Sequence, residues 1–341
     1  MTIEDDSNAE WTNMENNLIH KFTAQEINKY KITNDIEATI LRNRLSITVE
    51  KIIKDLISIE KRQTPSPEND FQLIQNMTKA EENIIDKANL RLEHEESFCI
   101  IYHSIRDKIE ETNKDGSGLI LFVGAGVSKA IKNIHRIVSC LLDEKGIPYS
   151  IPWKDDNWEL IEPYRSEIDN IFSEQAVFVG METTKAQEII AELYHNNKFL
   201  IRQLVVFNWD NVIETASYRI DKKRLEVGTD IIVCDDVPHN FNLSKIYIWH
   251  PHGYVGNKNR FVLPYENGFL PKKFKDICGR FPGIFLIVGH REEKNNSLTS
   301  TLGKRGRDVI RIRTDFTQSK ELSLNLECDD FFTLLQSWIN N

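Results

Sequence analysis

The stretch Leu119-Ile120-Leu121-Phe122-Val123-Gly124-Ala125-Gly126-Val127-Ser128 constrains this chain more than any other. Its apolar run predicts a strand, and the glycines after it predict a tight turn into a helix that begins at the serine. That geometry directs free backbone N–H groups and the positive end of a helix dipole at one spot, which suits a phosphate or pyrophosphate. A Cβ at position 124 or 126 would block the tight turn or the close approach of a ligand. Such turns also serve packing alone, so the motif by itself leaves both readings open.

Three later segments narrow the choice. Leu204–Asn211, Ile246–Gly256 and Gly283–His290 each read as a short buried strand. Their carboxyl ends stop at Asn208-Trp209-Asp210, His252-Gly253 and Gly289-His290. A last strand is expected at Val309–Thr314. In open α/β sheets ligands bind outside the carboxyl ends of the strands. The expected fold is therefore α/β, a Rossmann-like parallel sheet with flanking helices, preceded by an α-helical extension.

The extension, residues 1–115, is built differently from residues 116–341. Ile32, Ile36, Ile40, Leu45, Val49, Ile52 and Leu56 form a stripe at helical spacing, with Thr23 and Glu26 as a capping box at its start. Thr64-Pro65-Ser66-Pro67 breaks the chain, and a second helix is expected from Asp70 to Glu111, with Thr78 and Glu81 as another capping pair. Asn113–Gly118 reads as a linker. A hairpin of two such helices cannot bury its stripe alone. It must pack on the α/β domain, on another subunit or on a different protein.

Bulk properties fit a soluble intracellular chain. The net charge of -9 argues against broad nucleic-acid binding. Five scattered cysteines, at 99, 140, 234, 278 and 328, fit reduced thiols rather than a disulfide framework. No apolar run reaches membrane-spanning length, and the polar N-terminus is no signal peptide, so the expected location is the cytoplasm.

Gly-Ala-Gly-Val-Ser at 124–128, then Asn208-Trp209-Asp210, His252-Gly253 and Val288-Gly289-His290, taken in that order, resemble the sirtuin family. More narrowly they resemble the sirtuin-like NAD-cleaving effectors of bacterial anti-phage defence. The resemblance covers residues 116–341 and implies NAD as substrate. Gly124, Ala125, Gly126 and Ser128 would hold the diphosphate, with Gly253, Gly289 and His290 also in the binding site. His290 departs from the family pattern. Ser128 serves equally as N-cap of the helix carrying Ile131, Ile134, Val138 and Leu141.

By the same resemblance Asn208 orients a water near C1′ of the ribose, since an amide both donates and accepts. The bland alternative is a cap on the strand-to-helix turn. Asp210 shapes the nicotinamide or ribose pocket, or starts the helix through Val212, Ile213 and Ala216. His252 matches the family's general base, and His250 is its competitor. Arg311 or Arg313 would be the basic groups for an extra phosphate.

The chain lacks the paired Cys-x-x-Cys motifs of deacetylase sirtuins, so no zinc is expected. Gly146-Ile147-Pro148-Tyr149 only partly echoes another deacetylase segment, and Trp153 or Trp158 could form an aromatic wall instead. Hydrolysis of NAD is the leading expectation. A deacylase or ADP-ribosyltransferase, or a non-catalytic NAD or ADP-ribose-binding module, is the alternative. The resemblance also implies a homo-oligomer assembled through the helical arm, with a HerA-type ATPase as partner.

Overall fold

A computed structural model describes residues 3–32, 34–173, 182–196, 200–233, 237–255, 261–262, 272–290, 298, 302, 309–313 and 322–340. Cys234, Gly256 and Thr314, and the side chains of Ile131 and Arg313, lie outside the described residues. The chain divides into two compact units, residues 1–104 with 341 and residues 105–340.

The first unit is helical: α1 Ile3–Ile27, α2 Asp35–Gln63, α3 Asp70–Arg91 and the start of α4 Glu93–Asp115, within which the division falls. The expected pair of long helices is thus four shorter ones. Thr23 and Glu26 lie inside α1, and Thr78 and Glu81 inside α3, so neither pair caps a helix start. The caps are Asn34, whose Oδ1 accepts from Glu37 N at 2.9 Å, and Asn69, whose Oδ1 accepts from Gln72 N at 3.0 Å. Thr78 instead donates to the carbonyl of Ile74 one turn back.

The buried stripe of α2 is Leu41, Leu45, Val49, Ile53 and Leu56, of which Val49, Ile53 and Leu56 pack with Trp11, Leu18 and Phe22 of α1 and Ile84 of α3. Ile36, expected in that stripe, is 53% exposed. At roughly 100° per residue it stands about 140° around the helix from Leu41, on the outward side.

The second unit is a seven-stranded, all-parallel sheet. Its strands are β1 Leu119–Val123, β2 Ile201–Val206, β3 Ile231–Val233, β4 Ile248–His250, β5 Ile284–Val288, β6 Val309–Arg313 and β7 Leu322–Asn325. They lie in the order β3-β4-β2-β1-β5-β6-β7. Leu121 of β1 faces Leu204 on one side and Leu286 on the other. Every residue of β1 and β5 is buried, as a parallel sheet covered on both faces requires. The α/β, Rossmann-like expectation holds. The chain leaves β1 toward β2 and returns to β5 on β1's other side, so strand order reverses between β1 and β5. That crevice, outside the carboxyl ends, is where such sheets place ligands.

The flanking helices are α5 Ala130–Glu144, α6 Arg165–Ser173, α7 Lys185–Asn196, α8 Val212–Asp221, α9 Lys272–Arg280 and α10 Cys328–Asn340, with a 3-10 segment at Asp155–Tyr164. Ile120, Phe122, Val205, Trp249, Phe274 and Phe285 build the core on one face of the sheet. A second cluster joins Val138 of α5, Trp158, Phe172 of α6 and Trp209, which follows β2. Trp153 joins it too, stacked on His135 at 4.7 Å, so the aromatic wall expected from Trp153 and Trp158 is a packed cluster.

Cys99, Cys140, Cys278 and Cys328 are not in disulfides among the described residues. Among the described residues, no His, Cys, Asp and Glu side chains group as a metal site would, and no helix is long and apolar enough to cross a membrane.

Candidate active site

The crevice is closed on one side by backbone alone. After β1, Gly124 N donates to Val288 O at 2.9 Å and Gly126 N to Gly289 O at 2.8 Å. A Cβ on Gly124 would lie 2.4 Å from both Gly289 O and His290 Cα, and one on Gly126 would lie 2.9 Å from Gly289 Cα. Both distances are shorter than real Cβ atoms tolerate, so the seam between the β1 and β5 ends exists only with glycine. Gly289 also takes φ +64°, where a side chain is strained. Gly126 is exposed, and Ala125, Ser128, Gly289 and His290 are partly exposed, so this glycine floor faces outward.

The turn itself differs from expectation. Residues 125–127 make one 3-10 turn, and α5 begins only at Ala130, after Lys129, with no side-chain cap. The N–H groups of Val127 and Ser128 donate to Gly124 O and Ala125 O. With those of Gly124 and Gly126 already bonded across the seam, four of the N–H groups expected to be free are engaged by the protein. Ser128 does not start the helix. Its hydroxyl donates to Asp210 Oδ2 at 2.9 Å.

The opposite wall is made of side chains. Asp210 is 2% exposed, and its other oxygen accepts from Val212 N at 3.2 Å, at the start of α8. Burial pushes the Asp210 carboxyl above the usual carboxylate range, while its bonds from Ser128 and Val212 pull it back. Asp210 therefore ties the glycine turn to the α8 N-terminus. Asn208 is 8% exposed, and its Nδ2 has no hydrogen-bond partner among the described residues. A buried amide N–H left unpaired costs free energy, and a bound ligand or water that accepted from it would remove that cost.

The two histidines sort by burial. His250 ends β4, and Gly253 N closes a turn onto His250 O at 3.1 Å, with Gly253 at φ +95°. That turn removes the regular alternation that would set His250 and His252 on one strand face. His250 is fully buried and both its ring nitrogens are engaged, Nδ1 with Asn208 O at 3.0 Å and Nε2 with Glu214 Oε1 at 2.5 Å. His252 remains partly exposed, and desolvation pushes its imidazole down to about 4, against a weaker upward pull from a hydrogen bond to the Phe207 carbonyl. It is neutral at pH 7 and able to accept a proton. The Phe207 ring packs between His252 at 5.0 Å and His290 at 4.5 Å, linking the two walls.

The structure thus gathers residues at the ends of β1, β2, β4 and β5 through direct contacts. Ser128 meets Asp210, Gly124 and Gly126 meet Gly289 and His290, and Phe207 meets His252 and His290. Arg311, considered for an extra phosphate, is buried within β6. Glu214 and Phe207 belong to the site without having been singled out from the sequence. Phe207 was visible as the residue before Asn208, whereas nothing local marks Glu214, on the first turn of α8.

No protein-family model matches the sequence, and no curated protein matches it. Among solved structures the chain is similar to a Sir2 homologue in complex with NAD, at 16% identity and a TM-score of 0.42, covering 70% of this chain and 93% of that one. It is also similar to a Sir2 protein with a p53 peptide and NAD+, at 12% identity and a TM-score of 0.36, covering 64% of this chain and 92% of that one.

Proposed function

We propose that this protein is an NAD+ glycohydrolase, cleaving the nicotinamide–ribose bond to give nicotinamide and ADP-ribose. The observation that carries the reading is the buried Asn208 carboxamide with its unpartnered Nδ2, at the carboxyl edge of the sheet near the neutral, partly exposed His252. The glycine floor supports it, because the bare seam lets the β1 and β5 ends close into an outward-facing backbone edge against which a dinucleotide can lie.

In this reading the diphosphate lies against the exposed Gly126 backbone near the amino end of α5, whose dipole favours negative charge. Ala125, Ser128, Gly253, Gly289 and His290 border the dinucleotide. Asn208 holds a water against C1′ of the nicotinamide ribose. The C1′–N bond breaks through an oxocarbenium-like transition state, its electron pair leaving with the pyridinium nitrogen, so nicotinamide departs neutral. The water oxygen bonds to C1′, and the proton it loses passes to His252 and then to solvent. Asp210, bonded at both oxygens, positions rather than reacts.

Incubation of the purified chain with NAD, with chromatography of nicotinamide and ADP-ribose, tests the reading. Turnover that disappears in folded Asn208→Ala supports it. Nicotinamide release that requires an acyl-lysine or acceptor peptide would replace it with the deacylase or ADP-ribosyltransferase alternative. NAD binding without any turnover would favour a binding module.

The biological setting follows from the sequence resemblance alone. In it the chain is a cytoplasmic homo-oligomer whose residues 1–115 serve as an assembly arm. It depletes NAD during phage infection, with a HerA-type ATPase as partner, and uses no zinc. Light scattering of the full chain, and NAD turnover with and without such an ATPase, check these points. A monomeric mass at all concentrations would remove the assembly role.

A further inference from the structure

The loop that carries Asn208 has no regular structure of its own. Residues 207–211 join β2 to α8, so their geometry depends on what holds them from outside. Phe207 N donates to Val123 O at 2.9 Å where the loop begins, and three fastenings hold its centre. Val255 N donates to Trp209 O at 3.0 Å, Ser128 and Val212 hold the Asp210 carboxylate, and His250 Nδ1 meets Asn208 O at 3.0 Å. A carbonyl oxygen can only accept, so His250 carries its hydrogen on Nδ1.

The partner that holds His250 itself is Glu214. The two stand at 2.5 Å with His250 fully buried and Glu214 nearly so. The fold explains the juxtaposition. β4 pairs with β2 in the register Val205↔Trp249, which sets His250 beside the end of β2. Glu214 lies on the first turn of α8, which directly follows the Asn208 loop. The side chain from the neighbouring strand therefore meets the peptide between Asn208 and Trp209, and the one from the following helix holds that side chain in turn. The Asn208 carboxamide is left with an unpartnered Nδ2. A donor aimed at a reacting water is worth most when its backbone cannot swing.

We infer that His250 and Glu214 form a positioning pair that fixes the Asn208 peptide and, through it, the direction of the Asn208 carboxamide. This rests on the NAD-hydrolysis reading for its kinetic consequence, although the geometry stands without it. Neither residue touches the substrate. Their loss lowers the rate of the chemical step while leaving NAD affinity in place.

The test joins kinetics to a readout independent of turnover. His250→Ala should lower kcat about 100-fold, the scale of a small misplacement at the reacting centre, with KM for NAD within about threefold of wild type. His250→Asn offers an amide N–H where Nδ1 stood and should recover most of the loss. Glu214→Gln should keep a hydrogen bond to the ring and fall between them. Leu335→Ala, a cavity variant in α10, controls for lost stability and should keep kcat.

In protein labelled with carbonyl-13C asparagine and 15N tryptophan, only the Asn157–Trp158 and Asn208–Trp209 peptides give correlated signals. The Asn208 carbonyl should shift upfield in His250→Ala and return toward its place in His250→Asn, while Asn157 stays fixed as an internal reference. A folded His250→Ala protein with an unmoved Asn208 carbonyl overturns the pair, as does a kcat loss matched by Leu335→Ala or not rescued by His250→Asn. A wild type without NAD turnover overturns the proposed function, and the carbonyl shift then decides the positioning role on its own.

Discussion

The two sides of the crevice reach the same place by opposite means. The β1 and β5 ends meet as bare backbone, with Gly124, Gly126 and Gly289 so close that any Cβ collides. The β2 and β4 ends meet through side chains, with Asn208, Asp210, His250 and Glu214 buried and His252 partly exposed. One side is shaped by having no side chains and the other by the side chains it has. Damage should differ accordingly. Substitution at the glycine seam should disturb shape and stability together, whereas substitution on the polar wall should remove chemistry from a protein that still folds.

The largest expected effects lie on the polar wall. His252→Ala should lower kcat roughly 10²- to 10⁴-fold, the range for a lost general base, and Asn208→Ala roughly 10²- to 10³-fold, the range for one lost donor at a reacting centre. Circular dichroism and melting temperature should stay near wild type for both. Retained turnover in either folded variant would break the contrast at its stronger end.

The downshifted His252 also sets a pH signature. Turnover should stay level from about pH 8 to pH 5 and fall as the pH drops through about 4, where the imidazole gains its proton. The unfolded chain, with an ordinary histidine near 6.5, binds more protons than the folded one between those values. Stability from this group is therefore complete above about 6.5 and lost as pH falls toward 4. Denaturant midpoints should show that slope in wild type and less of it in His252→Gln.

Gly124→Ala comes next, and it sharpens the other half of the comparison. The position has φ −105°, which any residue adopts, so the whole effect is the collision with Gly289 O and His290 Cα. A loss of about 1–3 kcal/mol in stability is expected for such overpacking, with weakened NAD binding by calorimetry. A variant that binds NAD normally would show that the seam can open without consequence.

How far all this could be read from residues follows the same division. β1, β4, β5 and the Leu204–Val206 end of β2 announce themselves as apolar runs ending in polar or glycine residues, because strands covered on both faces are apolar, while β6 shows as an alternating Val-Ile-Arg-Ile-Arg segment. The sheet-edge strands β3 and β7 went unnoticed, since Ile231–Val233 and Leu322–Asn325 are too short to carry a pattern. Asn208 and His252 were legible from position at strand ends. The His250–Glu214 pair was not, because its members approach only once β4 lies beside β2.

The helix starts teach a related lesson. Asn34 with Glu37 and Asn69 with Gln72 fit the capping pattern as well as the threonine pairs, and only the extent of α1 and α3 selects between them. Similarly, nothing in Gly-Ala-Gly-Val-Ser reveals that two of its N–H groups bond to Val288 and Gly289 at the β5 end and two more within the turn itself.

Ser128 sits where the two sides touch, and its removal should have the smallest effect. Its hydroxyl belongs to the glycine turn by sequence and to the polar wall by its bond to Asp210. Ser128→Ala removes one hydrogen bond to a buried carboxyl and leaves the Val212 bond in place. Stability should fall by about 0.5–1.5 kcal/mol. Because that bond helps hold down the Asp210 carboxyl, losing it should move the group further up and favour its neutral form. Since Asp210 fastens the loop but does not react, kcat should change by less than about tenfold, within what one such bond can supply. A loss as deep as that of Asn208→Ala would mean that the serine or Asp210 reaches the substrate directly, and the line between a wall of chemistry and a floor of backbone would have to be redrawn through Ser128.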